Sequence, residues 1–409
     1  MTTTPSSNPK ILIVGGGFGG VRAARKLSRN KNYDITLVSN LDHMAYYPQF
    51  YHTATGGFDS QAALPLSEIF AGTTVKVVKD TVAKIDPATR TVTSSDGSTK
   101  YSYDKVILAL GNVTNYFGIP GLPEFSFGIK STETVDKFRR HLHEQVLNAY
   151  DPAQSYVVIG AGPTGVELAA TLGDYLNRIT RQHKLPPREY NIQIVEAVPR
   201  VLPRSLEAVS TAVQRRLESL GVKVLVNKAV KGQTKDALQF ENESIATRTV
   251  VWTSGVTTNP FYNENPGLFQ AGKGGKLTVN EYMEAGDGLY IIGDNAATPY
   301  SGMAQTALHD ADFVAADIDL VIQGKSRRKY KTALPISVIP VGKNWAVAEW
   351  RKFHLSGFLA YLLHVGATFI GYWDVERLSV AIRMWLRSES HEDTCRYCAE
   401  APQSAASKA

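Results

Sequence analysis

Two glycine clusters hold the first recognisable chemistry in this chain of 409 residues. Gly15-Gly16-Gly17-Phe18-Gly19-Gly20 follows the apolar run Ile11-Leu12-Ile13-Val14, and Gly160-Ala161-Gly162-Pro163-Thr164-Gly165 follows Tyr156-Val157-Val158-Ile159. In each cluster the first glycine lets the chain turn and the second lets backbone approach a pyrophosphate. The third lets helix and strand pack closely. A single match could be only a tight strand–helix turn. Two copies, each between a buried parallel strand and a helix, predict two dinucleotide sites and an α/β fold with two Rossmann-like domains.

The residue ending the next strand sorts nucleotides. Ile192 to Val195 closes on Glu196, where a carboxylate accepts both ribose hydroxyls of NADH and repels the 2′-phosphate of NADPH. Arg200 and Arg204 lie near enough in sequence to pull the other way. In the first unit the same position is Ser39, a weaker ribose partner. Glu167 opens the second helix, where the helix dipole favours a carboxylate. Three further apolar strands end in Ala109-Leu110-Gly111, Thr253-Ser254-Gly255 and Gly293-Asp294. Small exits let backbone lie against a flat ring, and an aspartate there can bind ribityl hydroxyls.

Composition narrows the frame these motifs need. Apolar residues at 43% and charged residues at 20% supply a core and exclude wholesale disorder. The two cysteines, Cys395 and Cys398, exclude a disulfide-stapled fold, a thiolate-held iron–sulfur cluster and a dithiol near the glycine turns. With His391 they make three potential ligands where structural zinc takes four, so no metal is expected. The net charge of +6 concentrates between Lys325 and Glu389, with eleven basic and four acidic residues. A basic C-terminal fifth suits phosphates, in lipid headgroups or nucleic acid. No groove reader or stacking platform accompanies it, so nucleic acid is not expected. Met1 to Pro9 lacks the order of a secretory signal and reads as a floppy tail.

Phe353 to Trp373 has no Asp, Glu, Lys or Arg, and its length suits a membrane span. At 100° per residue, however, Leu355, Phe358, Leu359, Leu362, Leu363, Phe369, Ile370, Tyr372 and Trp373 share one half, opposite Ser356, Ala360, His364, Ala367 and Thr368. That split predicts an interfacial helix. In the next helix Leu378, Ala381, Ile382, Trp385 and Leu386 oppose Arg377, Arg383 and Arg387, a second amphipathic anchor.

The order of these motifs resembles the two-dinucleotide-binding-domain flavoproteins, and within them the type II NADH:quinone oxidoreductases. The specific pieces are Thr114 to Gly121, Pro163 to Ala169, Trp252 to Val256, Ile292 to Ala296, Gly302-Met303-Ala304-Gln305 and the run Glu349 to Trp385. The resemblance implies noncovalent FAD in a discontinuous domain, 10–115 with 266–330. It implies NADH in 116–265, a membrane-anchoring region at 331–390, and flexible ends at 1–9 and 391–409. For FAD it implies Gly15, Gly17, Phe18, Gly19, Gly20, Ser39, Tyr47, Pro48, Thr55, Val82, Ala109, Gly111, Asp294, Ala304 and Gln305. For NADH it implies Gly160, Gly162, Pro163, Thr164, Gly165, Glu167, Glu196, Ser254 and Gly255. Electrons would pass from NADH through FAD to a quinone without proton pumping, on the cytoplasmic membrane face, with a homodimer through the C-terminal helices as a further expectation. The family pattern Ala-Gln-x-Ala-x-Gln-Gln reads Ala304-Gln305-Thr306-Ala307-Leu308-His309-Asp310 here. His309 and Asp310 thus become candidates for proton relay beside the quinone, with Gln305 and Glu167. A soluble flavin reductase serving a protein acceptor and a non-catalytic NADH sensor remain as alternatives.

Overall fold

The computed structural model describes residues 8–392 and residue 397. Strand β1 (Lys10–Val14) is the centre of the first sheet, with Ile11 to Val14 at most 2% exposed. β2 (Asp34–Ser39) lies parallel on one side, Val14 opposite Val38, and β3 (Lys76–Lys79) extends the sheet beyond it. β4 (Lys105–Leu108) lies parallel on the other side, Val14 opposite Leu108. Beyond β4 come Leu289–Ile291, parallel, and Glu284–Gly286, antiparallel at the edge. The chain therefore leaves its first sheet and returns to it.

The excursion builds a second parallel sheet. β5 (Ser155–Ile159) is buried at every position and sits between β6 (Asn191–Val195) and the strand Thr249–Trp252. β7 (Val222–Leu225) flanks β6. Strands buried on both faces have no reason to alternate, which is why they appear as unbroken apolar runs. Helices α1 (Phe18–Leu27) and α2 (Pro163–Gln182) leave the two glycine turns, and α3 (Ala304–Ile322) packs along α1.

The C-terminal region departs from the expectation of a helix beginning at Phe353. Its first part is an antiparallel sheet of β8 (Ser337–Pro340), β9 (Ala346–Trp350) and β10 (Phe353–Gly357). Phe353-His354-Leu355-Ser356 alternates large apolar with polar, the strand period, and Gly357 turns into the helix at φ +93°. Helix α4 (Phe358–Val375) follows, then α5 (Leu378–Arg387). On α4 the inward stripe is Ala360, His364, Thr368, Tyr372 and Val375, while Phe358, Leu359, Leu362, Leu363, Ile370 and Trp373 are half exposed or more. Tyr372 leaves the outer face assigned to it because its ring stacks on Tyr46 at 4.6 Å and its hydroxyl donates to the Gln61 carbonyl at 3.1 Å.

Two arginines of α1 hold α4 in place. Arg22 donates to both Asp312 carboxylate oxygens at 2.7 and 2.9 Å and to the Asp374 carboxylate at 3.1 Å. Arg25 donates to the Asp374 and Glu376 carbonyls, both at 3.1 Å, answering the orphan carbonyls at the end of α4. Residues 391 and 392, expected to begin a flexible tail, are held by contacts. Glu392 pairs with the buried Arg139 at 2.6 Å, and the His391 ring meets His52 at 4.5 Å. Cys395 and Cys398 lie outside the described residues.

Arg22→Met should destabilise the protein by about 1–2 kcal/mol, the usual cost of removing a partly screened, charge-assisted hydrogen-bond network. Thermal melting of the variant checks this, and an unchanged melting temperature would contradict it.

Candidate active site

A continuous cavity of about 1550 Å³ runs from the first glycine turn to the exposed face of the C-terminal elements. Its floor depends on backbone touching backbone. A Cβ at Gly15, where φ is +115°, would strike the Ala109 carbonyl, and one at Gly20 would strike the carbonyl of Gly15. At Gly17 and Gly111 a Cβ would meet nothing within 4 Å. Two glycines thus close the turn and the others leave room, which is the shape a pyrophosphate at the start of α1 requires.

Gly15, Gly17, Phe18, Gly19, Ser39, Tyr47, Pro48, Val82, Ala109, Gly111, Asp294, Ala304 and Gln305 all line this cavity. Gly20 and Thr55 do not. Gly20 is buried against the Gly15 carbonyl, and the Thr55 hydroxyl donates to the Tyr51 carbonyl at 3.0 Å. Residues without a sequence motif also reach the wall. Lys130, Lys276 and Arg204 line it, and the two lysines oppose the burial that pushes the Asp294 carboxyl up. Asp80 lines it near Ser39, its carboxylate accepting from the Thr81 amide at 2.7 Å and the Tyr101 hydroxyl at 2.5 Å. Ser39 thus has an acidic neighbour from β3's exit, one strand further along than the usual position.

The second turn repeats the first. A Cβ at Gly165 would strike the Gly160 carbonyl, one at Gly160 would strike the Ser254 hydroxyl, and Gly162 is open. Glu196 reaches back to this turn, accepting from the Ala161 amide at 2.8 Å and the Val198 amide at 3.2 Å. Arg200 is occupied elsewhere, donating to the Ser205 and Pro203 carbonyls, each at 2.7 Å, and to the Ser210 hydroxyl at 2.9 Å. Gly255, at φ +76°, packs under Phe117.

The two halves meet because Pro163, Thr164 and Glu167 at the start of α2 also form part of the cavity wall. Glu167 is half-buried at the cavity wall, and protein surrounds it over the longer range on which water stabilises charge. Burial pushes its carboxyl up to about 8. A proton held there at neutral pH faces the cavity.

His309 and Asp310 do not line the cavity. The His309 ring donates from Nε2 to the Lys331 carbonyl at 2.7 Å. Asp310 is fully buried, accepting from the Gly293 amide at 3.0 Å and the Tyr330 hydroxyl at 2.6 Å. It braces the Gly293–Asp294 turn from behind. Gln305 does line the cavity, but its amide exchanges two hydrogen bonds with the Ile336 backbone, at 3.0 and 2.9 Å.

Residues 9–311 match the pyridine nucleotide-disulphide oxidoreductase family. Type II NADH:quinone oxidoreductase NdhA of Mycobacterium tuberculosis is 27% identical over 386 residues, covering 86% of this chain and 81% of the relative. The type II NADH:quinone oxidoreductase of Staphylococcus saprophyticus is 25% identical, covering 79% and 85%. Among solved structures, NDH2 of Plasmodium falciparum in complex with NADH superposes with a TM-score of 0.82 at 17% identity, covering 94% of this chain and 98% of that one. Sulfide:quinone oxidoreductase of Aquifex aeolicus superposes at 0.76, with 20% identity and coverages of 90% and 91%. The chain belongs to the pyridine nucleotide-disulphide oxidoreductase family, and its curated relatives there are type II NADH:quinone oxidoreductases.

Proposed function

We propose that this protein oxidises NADH and passes two electrons through noncovalent FAD to a membrane quinone, without proton pumping, from the cytoplasmic membrane surface. One observation supports it above the rest: the first glycine turn, the start of α2 with Glu167, and an apolar mouth formed by Trp350, Phe353, Leu362 and Leu363 share one cavity. FAD bound there supplies a two-electron acceptor and donor. The chain supplies placement. Gly17 and the start of α1 take the pyrophosphate, Ser39 and Asp80 the adenosine end, Asp294 the ribityl chain, and Tyr47 and Pro48 the ring region. Gly162 and Glu196 take NADH, directing its nicotinamide toward Pro163 and Thr164. Glu167 holds a proton at the cavity wall, where a reduced quinone needs one. The domain division stays as read from the sequence, with FAD in 10–115 and 266–330, NADH in 116–265 and the anchor in 331–390.

The membrane reading rests on α4 and α5. α4 is the one helix among the described residues long and apolar enough to cross a bilayer. One face packs on its own protein and the other presents Leu359 at 61% and Trp373 at 52% exposure, with Leu386 of α5 at 68%. A helix so divided lies in the interface.

The direct test is NADH oxidation by the purified protein with a short-chain quinone, where turnover is expected and its absence would remove the proposal. Three variants sharpen it. Glu196→Gln should narrow the kcat/KM preference for NADH over NADPH about tenfold, roughly the worth of one charge-assisted hydrogen bond. A wild type that prefers NADPH would contradict the assignment.

Glu167 sets a pH dependence. Its folded-state pKa of about 8 exceeds the ordinary value of 4.5, so its contribution to stability is present below that ordinary value and is lost as pH rises toward 8. The Glu167→Gln variant escapes that loss. Stripped of ligands, it should melt close to wild type near pH 4.5 and several degrees above it by pH 9. Parallel melting curves would contradict the raised pKa.

Leu359→Glu combined with Leu386→Glu should weaken binding to anionic phospholipid vesicles at least tenfold, given about 1.5–3 kcal/mol per fully buried leucine as an upper bound. Vesicle flotation reads it. Release of the wild type by salt alone would show that apolar insertion is minor.

A further inference from the structure

The buried stripe of α4 contains three side chains with polar atoms, and two of them are satisfied. The Tyr372 hydroxyl donates to the Gln61 carbonyl, and the Thr368 hydroxyl donates to the His364 carbonyl at 3.0 Å within its own helix. His364 differs. Its side chain is on the cavity wall, the residue is 9% exposed, and neither ring nitrogen is hydrogen-bonded among the described residues. Neither nitrogen is fully enclosed by protein, and the residue lines the cavity. Burial, reinforced by nearby His52, lowers its pKa to about 4, so the imidazole is neutral at physiological pH, with one N–H to donate and one lone pair to accept.

A largely buried ring whose polar edge has no protein partner at a cavity wall is a place for a ligand. Two other polar groups on this part of the wall are engaged, and His354 of β10 lies on the exposed rim. Gln305 is bonded to Ile336 in both directions, and Asp374 accepts from Arg22. Around His364 the wall is apolar, with Leu362 and Leu363 half exposed toward the mouth and Phe353 at 73% exposure beyond them. Tyr372, stacked on Tyr46 next to Tyr47 and Pro48, lies eight residues further along α4, about 12 Å at 1.5 Å per residue. A flat, apolar acceptor with a polar carbonyl edge matches this wall.

We propose that His364 is a quinone-binding residue, its ring N–H donating a hydrogen bond to a carbonyl oxygen of the quinone head while Leu362, Leu363 and Phe353 receive the isoprenoid tail. This rests on the reading of the protein as an NADH:quinone oxidoreductase. It also gives the site a donor that His309 and Asp310, in their observed positions, do not supply.

The test uses the full-length, flavin-loaded protein in detergent, with a short-chain para-quinone as probe. His364→Phe keeps a ring and removes the donor, while His364→Gln keeps an N–H donor. His364→Phe should raise the KM for quinone about three- to tenfold, the range of one hydrogen bond to a neutral carbonyl. Its kcat should stay close to wild type, and its KM for NADH, flavin content and melting temperature should not move. His364→Gln should recover most of the loss. Equilibrium binding of the quinone to the oxidised protein, read by fluorescence quenching, should weaken by the same factor in His364→Phe. An unchanged KM for quinone in His364→Phe overturns the proposal, as does equal impairment of both variants, which would mark a packing role. Absence of quinone reduction in the wild type would instead overturn the functional reading beneath it.

Discussion

The close approach of backbone at Gly15 and Gly20 is the constraint on which the rest depends. With the Gly15 carbonyl against Gly20 and the Gly15 α-carbon against Ala109, any side chain there would force β1, β4 and α1 apart. Because they meet, α1 starts at the end of the sheet with its amides free, and its far side meets α3. Arg22 and Arg25 then reach from α1 to the end of α4. A turn defined by missing side chains therefore sets the cavity floor and, one helix away, locates its C-terminal wall. The second turn repeats the approach with Gly160 and Gly165, which brings Glu167 to the same space.

The C-terminal wall inverts the ordinary logic of an amphipathic helix. In α4 Ala360, His364, Thr368 and Tyr372 face protein, while Phe358, Leu359, Leu362, Leu363, Ile370 and Trp373 face out. Ala360 lies against Ala346 and Ala348, so β9 can approach the helix closely. The outer face would be an aggregation liability in water, and the proposed interfacial position would cover it with the apolar edge of a bilayer. An opening at such a surface, lined by leucine and phenylalanine, suits an acceptor that partitions into lipid.

The parallel strands were legible because double-sided burial leaves unbroken aliphatic runs, and the glycine spacing placed both turns correctly. Other features were hidden for physical reasons. Phe353 to Gly357 is too short for its alternation to stand out from the helix that follows. Tyr372 turned inward because Tyr46, more than 300 residues earlier, offered a stacking face. Helix spacing places His309 four residues after Gln305, on one side of α3. The side chains part company because Gln305 bends to Ile336 and His309 to Lys331, contacts made by a loop with no periodic signal. Lys130, Lys276 and Arg204 converge from separate loops, and no local pattern announces them.

The central claim is that one cavity serves a flavin reached by NADH and by quinone. Anaerobic double-mixing tests it most directly. NADH is mixed first to bleach the visible absorbance of the bound flavin, then a short-chain quinone is added in the absence of oxygen. The expected result is full bleaching followed by recovery of the oxidised spectrum at a rate no slower than steady-state turnover. A flavin that bleaches with NADH and stays reduced in the presence of quinone would contradict the claim.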